Sequence, residues 1–121
     1  MLERFGKLLG RHRAIRCLLV MSPRPQHFAN DGQFEFPDDV QRIDAHGNTM
    51  LEICYPISWG GAWDYPYPAA QSLIRNLRDT FGADKLVWGS DTPNLERFCT
   101  YRQRLDCVLR YCDFPSADEM D

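Results

Sequence analysis

The stretch "KLVWGSDTPN", Lys85 to Asn94, decides how the rest of the chain is read. Lys85-Leu86-Val87-Trp88 has the composition of a short buried strand that stops abruptly at Gly89-Ser90-Asp91-Thr92-Pro93. Glycine at 89 admits a close neighbour, and Pro93, lacking an N–H, ends any ladder. Between them Asp91 stands at the carboxyl end of the strand, where parallel α/β sheets build their sites. Strand context alone leaves two roles open for it. Asp91 is either a site carboxylate or a turn residue bonded to its own backbone ahead of Pro93.

Working outward, the preceding segment reads as a helix from Ala69 to Phe81, with Leu73, Ile74, Leu77 and Phe81 as its stripe and Gly82 as its stop. Before it come the aromatic loop "ISWGGAWDYPYP" and a strand "TMLEICYP", Thr49 to Pro56. Upstream, Pro37 opens a short helix with Val40 and Ile43 on one face. The polar loop "SPRPQHFANDGQFE" links that helix to an earlier strand, Ala14 to Met21. Leu2, Phe5, Leu8 and Leu9 repeat at helical spacing up to Gly10. Downstream of the opening stretch, Tyr101, Leu105, Val108, Leu109 and Cys112 mark a last clear helix. Ser116 and Glu119 have the spacing of a capping box, as for the first turn of a further helix.

The order is therefore α-β-α-β-α-β-α, three strands and four helices, with strand starts about 35 residues apart. Strands alternating with helices pair in parallel through crossovers. That period also suits the eight units of a roughly 250–300-residue (β/α)₈ barrel. The expectation is one partial domain over residues 1–121, the carboxyl-terminal βα units of a TIM-type barrel.

Composition fits this class. Apolar residues make up 44% and charged residues 26%, with a formal charge of −3. Residues 1–25 carry six basic side chains against Glu3, so the rest of the chain holds eight net negative charges. An acidic balance without a basic-aromatic motif argues against nucleic-acid binding. No run approaches the roughly 18 apolar residues of a membrane span, and no signal-peptide pattern opens the chain. The five cysteines, Cys17, Cys54, Cys99, Cys107 and Cys112, have no metal-ligand spacing and read as reduced thiols of a cytoplasmic protein.

The motif "FGADKLVWGSDTPN" resembles the last-strand motif of the amidohydrolase-related, metal-dependent hydrolases. This group includes the aminocarboxymuconate-semialdehyde decarboxylase-like enzymes and the pyrone-dicarboxylate lactonases. Phe81, Gly82, Lys85 and Gly89-Ser90-Asp91-Thr92-Pro93 carry the match, and "NTMLEICYP" from Asn48 is similar to the family's preceding strand. The resemblance implies a (β/α)₈ barrel with a divalent metal, often zinc, at the strand ends. It implies that Asp91 is the aspartate that ligates the metal or takes a proton from metal-bound water. Such a pairing works because the ion lowers the water's pKa and a neighbouring base completes its deprotonation.

The family's His-x-His pair occurs nowhere in the chain, and Met21-Ser22-Pro23 stands where the family usually ends a strand in histidine. His27 is expected to be a loop histidine, and His12 and His46 sit near helix ends. The chain is thus expected to supply part of a hydrolase or decarboxylase for a small carboxylated substrate, with a homo-oligomer possible.

Trp59, Trp63 and Tyr65 are candidates to line the substrate, with Gly60-Gly61 as a hinge; rim packing or an interface suits the same aromatics. Arg97 is a candidate to bind a substrate carboxylate in a fork. Glu52 is expected to face the barrel interior and meet a basic or hydroxyl partner there. A reading from another class is a non-enzymatic α/β module that binds through loop 57–68.

Overall fold

The computed structural model describes residues 2–20, 47–53 and 64–120. The expected helix at Pro37 and the strand residues Met21 and Cys54 to Pro56 lie outside the described residues.

Helix α1 spans Leu2–Arg11, one residue past the expected stop at Gly10. The His12 amide closes it on the Leu8 and Leu9 carbonyls at 3.1 and 3.3 Å, and Leu9 is buried. Strand β1 is Cys17–Val20 and β2 is Thr49–Glu52. They pair in parallel, Cys17 opposite Thr49 through Val20 opposite Glu52. Among the described residues the expected strand from Ala14 starts only at Cys17, where its pairing with Thr49 of β2 begins. Asn48 fastens this corner, its side-chain amide donating to the Ile15 carbonyl at 2.9 Å.

Helix α2, Pro68–Phe81, supplies the crossover from β2. Pro68 suits the first turn, where its missing N–H costs nothing. Gly82, at φ 90°, closes the other end with its amide on the Arg78 carbonyl at 2.8 Å; that backbone conformation favours glycine. The buried stripe is Ala70, Leu73, Ile74, Leu77 and Phe81. Each buried leucine contributes about 1.5–3 kcal/mol.

A single 3₁₀ turn, Ala83–Lys85, leads into β3, Leu86–Val87. This strand pairs in parallel with β2, Leu51 opposite Leu86 and Glu52 opposite Val87. The sheet order is β1-β2-β3. β3 is shorter than the expected Lys85–Trp88, and the Ile53 amide on the Val87 carbonyl at 2.9 Å is its last ladder bond among the described residues.

Helix α3, Tyr101–Asp106, begins with a complete capping box between Thr100 and Gln103. It widens into a π turn over Cys107–Tyr111. Three α-helices and three parallel strands therefore lie among the described residues.

One face of the sheet carries the core. Leu51 and Ile53 pack with Leu73, Ile74, Leu77 and Phe81 of α2 and with Val108 and Cys112. Leu19, Leu86 and Trp88 join from the same face. On β1 the opposite parity is open, Leu18 and Val20 being 50% and 55% exposed. A second cluster, Tyr67, Ala70, Leu95, Cys99 and Cys107, lies beside it, with Tyr65 and Phe98 packed against it.

The capping box at Ser116 is formed, but it caps a 3₁₀ turn over Ala117–Glu119. Arg78 of α2 reaches this turn. Its Nε and Nη2 donate to the two Glu119 carboxylate oxygens at 2.9 and 3.1 Å. Together with the Ser116 amide, they hold the Glu119 carboxyl down at about 2.

Candidate functional site

Asp91 follows β3 in the left-handed region, at φ 44°. Non-glycine residues rarely rest there, and Asp and Asn are the usual exceptions. Its carbonyl accepts from the Leu95 amide at 3.1 Å. Its Oδ2 accepts from Asn94 Nδ2 at 2.9 Å. The turn continues into a 3₁₀ segment, Asn94–Arg97, anchored by fully buried Leu95. Asp91 thus sits in a turn, but its Oδ2 is held by the Asn94 side chain rather than by the backbone N–H of an Asx turn, and Oδ1 lies outside that bond.

Arg97 belongs to the same network. Its Nε donates to the Asn94 carbonyl at 3.1 Å and its Nη2 to Asn94 Oδ1. Arg97, Asn94 and Asp91 thus form a relay in which Arg97 fixes the amide that holds the aspartate. The guanidinium also lies 5.3 Å over the Phe98 ring. A side chain with these bonds orients the turn.

Gly89 is explained by Glu52. A Cβ on Gly89 would fall 1.7 Å from Glu52 Oε1 and 2.8 Å from its Cγ. The missing side chain lets the carboxylate at the end of β2 lie across the end of β3. Among the described residues no basic or hydroxyl group is bonded to Glu52, whose carboxylate lies against the Gly89 backbone. The half-buried position keeps the carboxylate partly solvated, which removes the need for a counter-charge.

Tyr65 packs edge-on against Tyr67 and Tyr111, with ring centroids 5.5 and 5.4 Å apart. Its hydrogen bond with Tyr111 and its burial push its phenol up to about 12. Tyr67 is fully buried against Cys99 and Cys107, and burial raises its phenol further still. This end of the aromatic loop is part of the protein's second core. Trp59 and Trp63 lie outside the described residues, as do His27 and His46.

The described cysteines, Cys17, Cys99, Cys107 and Cys112, are free thiols. Burial raises Cys99. Hydrogen bonding between Cys107 and Cys112 raises the first and lowers the second.

Among the described residues, no three or more His, Cys, Asp or Glu side chains gather as a metal ion needs. A catalytic zinc takes about three protein ligands. Asp91 and Glu52 on adjoining strand ends do not meet that requirement.

Sequence reasoning missed Arg104. It sits at the start of α3, completely buried, and donates Nη1 to the Ser90 carbonyl next to Asp91. The signal was an arginine three residues after Tyr101 and four before Val108, inside an apolar stripe.

The carboxyl end of a parallel α/β sheet, where Asp91 is held in its turn, is where such folds place ligand sites. A family model for amidohydrolases matches residues 23–120. The chain belongs to the amidohydrolase family, whose members generally use a divalent metal in a hydrolase-type reaction. No curated protein and no solved structure matches the chain. No helix among the described residues is long and apolar enough to cross a membrane.

Proposed function

We propose that the chain forms βα units of a (β/α)₈-type, metal-dependent amidohydrolase related to the aminocarboxymuconate-semialdehyde decarboxylase-like enzymes. Its substrate is a small carboxylated molecule, cleaved by hydrolysis or decarboxylation. Asp91 is the chain's own contribution to the reacting centre, as a metal ligand or as a base toward water. The described residues do not supply the remaining ligands of a zinc or similar ion, and the aspartate alone is assigned a role in the chemistry.

One observation carries the reading. Asp91 is locked at the carboxyl end of β3 by bonds that use its carbonyl and Oδ2, while Oδ1 is outside that pair. The tight turn fixes the carboxylate's position before any substrate arrives, as a general base requires. Open apolar positions on one face of the sheet support the barrel part of the reading. In a barrel that parity turns inward and is covered by the other strands.

Asp91→Asn tests the role cleanly, because asparagine tolerates the left-handed conformation and can accept the same bond from Asn94. In the full-length enzyme that carries this sequence, folding should survive and turnover should fall by at least about 10²-fold, the scale for losing a general base. Wild-type turnover with a lowered Tm would make Asp91 a turn residue and remove the reading.

A further inference from the structure

Arg104 has 0% exposure, and two of its nitrogens, Nε and Nη2, meet no hydrogen-bond acceptor. Its third nitrogen, Nη1, is spent on the Ser90 carbonyl. Nε and Nη2 form one edge of the guanidinium, the pair whose two N–H bonds run parallel and match both oxygens of a carboxylate. A whole bidentate fork is thus desolvated and unused. Arginine cannot shed its proton to escape that cost. A buried charge with so little compensation is poor for stability, and an apolar side chain would serve the core better.

The surroundings specify the missing partner. Arg104 lies 5.6 Å over the Tyr101 ring. Trp88 packs edge-on against the same ring, with centroids 5.7 Å apart. Trp88 Nε1 is itself buried without an acceptor. An unpaired guanidinium fork against an aromatic ring fits a planar acid, the apolar part on the ring and the oxygens on the nitrogens. Tyr101 is 53% exposed and is the movable member of the stack.

We propose that Arg104, with Tyr101 and Trp88, is a receptor for the carboxylate of a small planar acid. The acid enters the Nε/Nη2 edge when Tyr101 turns aside. Through the Ser90 carbonyl, the occupied guanidinium adjoins the turn that holds Asp91. This deepens the proposed function, on which it rests for the identity of the ligand as substrate. It also transfers carboxylate recognition from Arg97, whose Nε/Nη2 fork is engaged by Asn94, to Arg104.

The test uses benzoate as the planar carboxylate, chloride at equal ionic strength as the control, and inorganic phosphate as a non-planar oxyanion. Nitrogen-edited NMR of the intact chain should show the Arg104 Nε–H resonance moving downfield as benzoate is added. At about tenfold excess over Kd, Tm should rise by about 5 °C. Arg104→Lys keeps the charge and loses the fork, so benzoate binding should weaken at least about tenfold.

Should that variant fail to fold, the wild-type resonance alone decides. An Nε–H resonance unmoved by benzoate overturns the proposal, as does undiminished binding to Arg104→Lys. An equal response to phosphate overturns the carboxylate assignment. Asp91→Asn separates the two readings, since it should lose turnover and still bind benzoate. If Asp91→Asn keeps wild-type turnover while benzoate still moves Arg104, the receptor stands and the catalytic reading falls.

Discussion

The two faces of the three-stranded sheet differ in what covers them. On one, Leu51, Ile53 and Leu86 meet α2 and the widened end of α3 in a continuous core. On the other, β1 presents Leu18 and Val20 half exposed, and β2 ends in half-buried Glu52. All three strands are parallel, and parallel sheets are normally covered on both sides. The difference teaches that apolar residues on a strand need not all serve the same packing partner. The covered parity stabilises these residues as they stand, and the open parity is the one the proposed barrel would cover.

The largest expected effect lies on the covered face. Leu77→Ala should cost about 2–5 kcal/mol in chemical denaturation, because the side chain is fully buried between sheet and helix. On the open face Leu18→Ala should stay within about 0.5 kcal/mol of wild type. Equal losses at the two sites would erase the contrast between the faces.

A smaller effect is expected where the open face meets the site. Gly89→Ala forces Glu52 into another rotamer, at a cost of about 1–3 kcal/mol for overpacking. The double variant Gly89→Ala with Glu52→Ala should recover most of that loss. A double-mutant cycle with no coupling would mean that Glu52 does not occupy the glycine's space.

Much of this architecture was legible in the sequence. The α2 stripe at Leu73, Ile74, Leu77 and Phe81 reads directly as a helix, and Pro68 and Gly82 punctuate its ends. The strands were legible in place and order, but their lengths were not. Where a ladder starts depends on what the neighbouring strand offers, so β1 begins at Cys17, opposite the first residue of β2.

Asp91 was legible as a strand-end residue because glycine and proline bracket it. Glu52 over Gly89 was not, because the two residues lie 37 positions apart in sequence and meet only through strand register. Arg104 was hidden for a related reason. A charge in an apolar stripe reads as a helix edge until tertiary packing closes over it. The hold of Arg78 on Glu119 was hidden too, because no local pattern reveals its reach across from α2.

That Arg78–Glu119 contact supplies the smallest expected effect. Glu119 is held at about 2, below its ordinary 4.5, by the Arg78 guanidinium first and the Ser116 amide second. A depressed carboxyl stabilises the fold above its unfolded value, and the contribution fades as pH falls from about 4.5 toward about 2. The contact is exposed, so its share of stability is small. Glu119→Gln should lower Tm slightly near neutral pH, and the gap to wild type should close as pH falls toward 2. A constant gap across that range would separate Glu119 from the acid limb.

The π turn in α3 carries a consequence for how this chain tolerates changes in length. The Cys112 amide reaches back five residues to the Cys107 carbonyl, at 3.1 Å, so the turn holds one residue more than an ordinary helical turn. Leu109, Arg110 and Tyr111 bulge outward, while Cys107, Val108 and Cys112 stay in the core. The wide turn has the form of a one-residue insertion absorbed on the solvent side. Deleting Arg110 should return the segment to regular α-helix with Cys112 and the following tail still seated. At this point in the chain, the number of residues and the register of the core are decoupled.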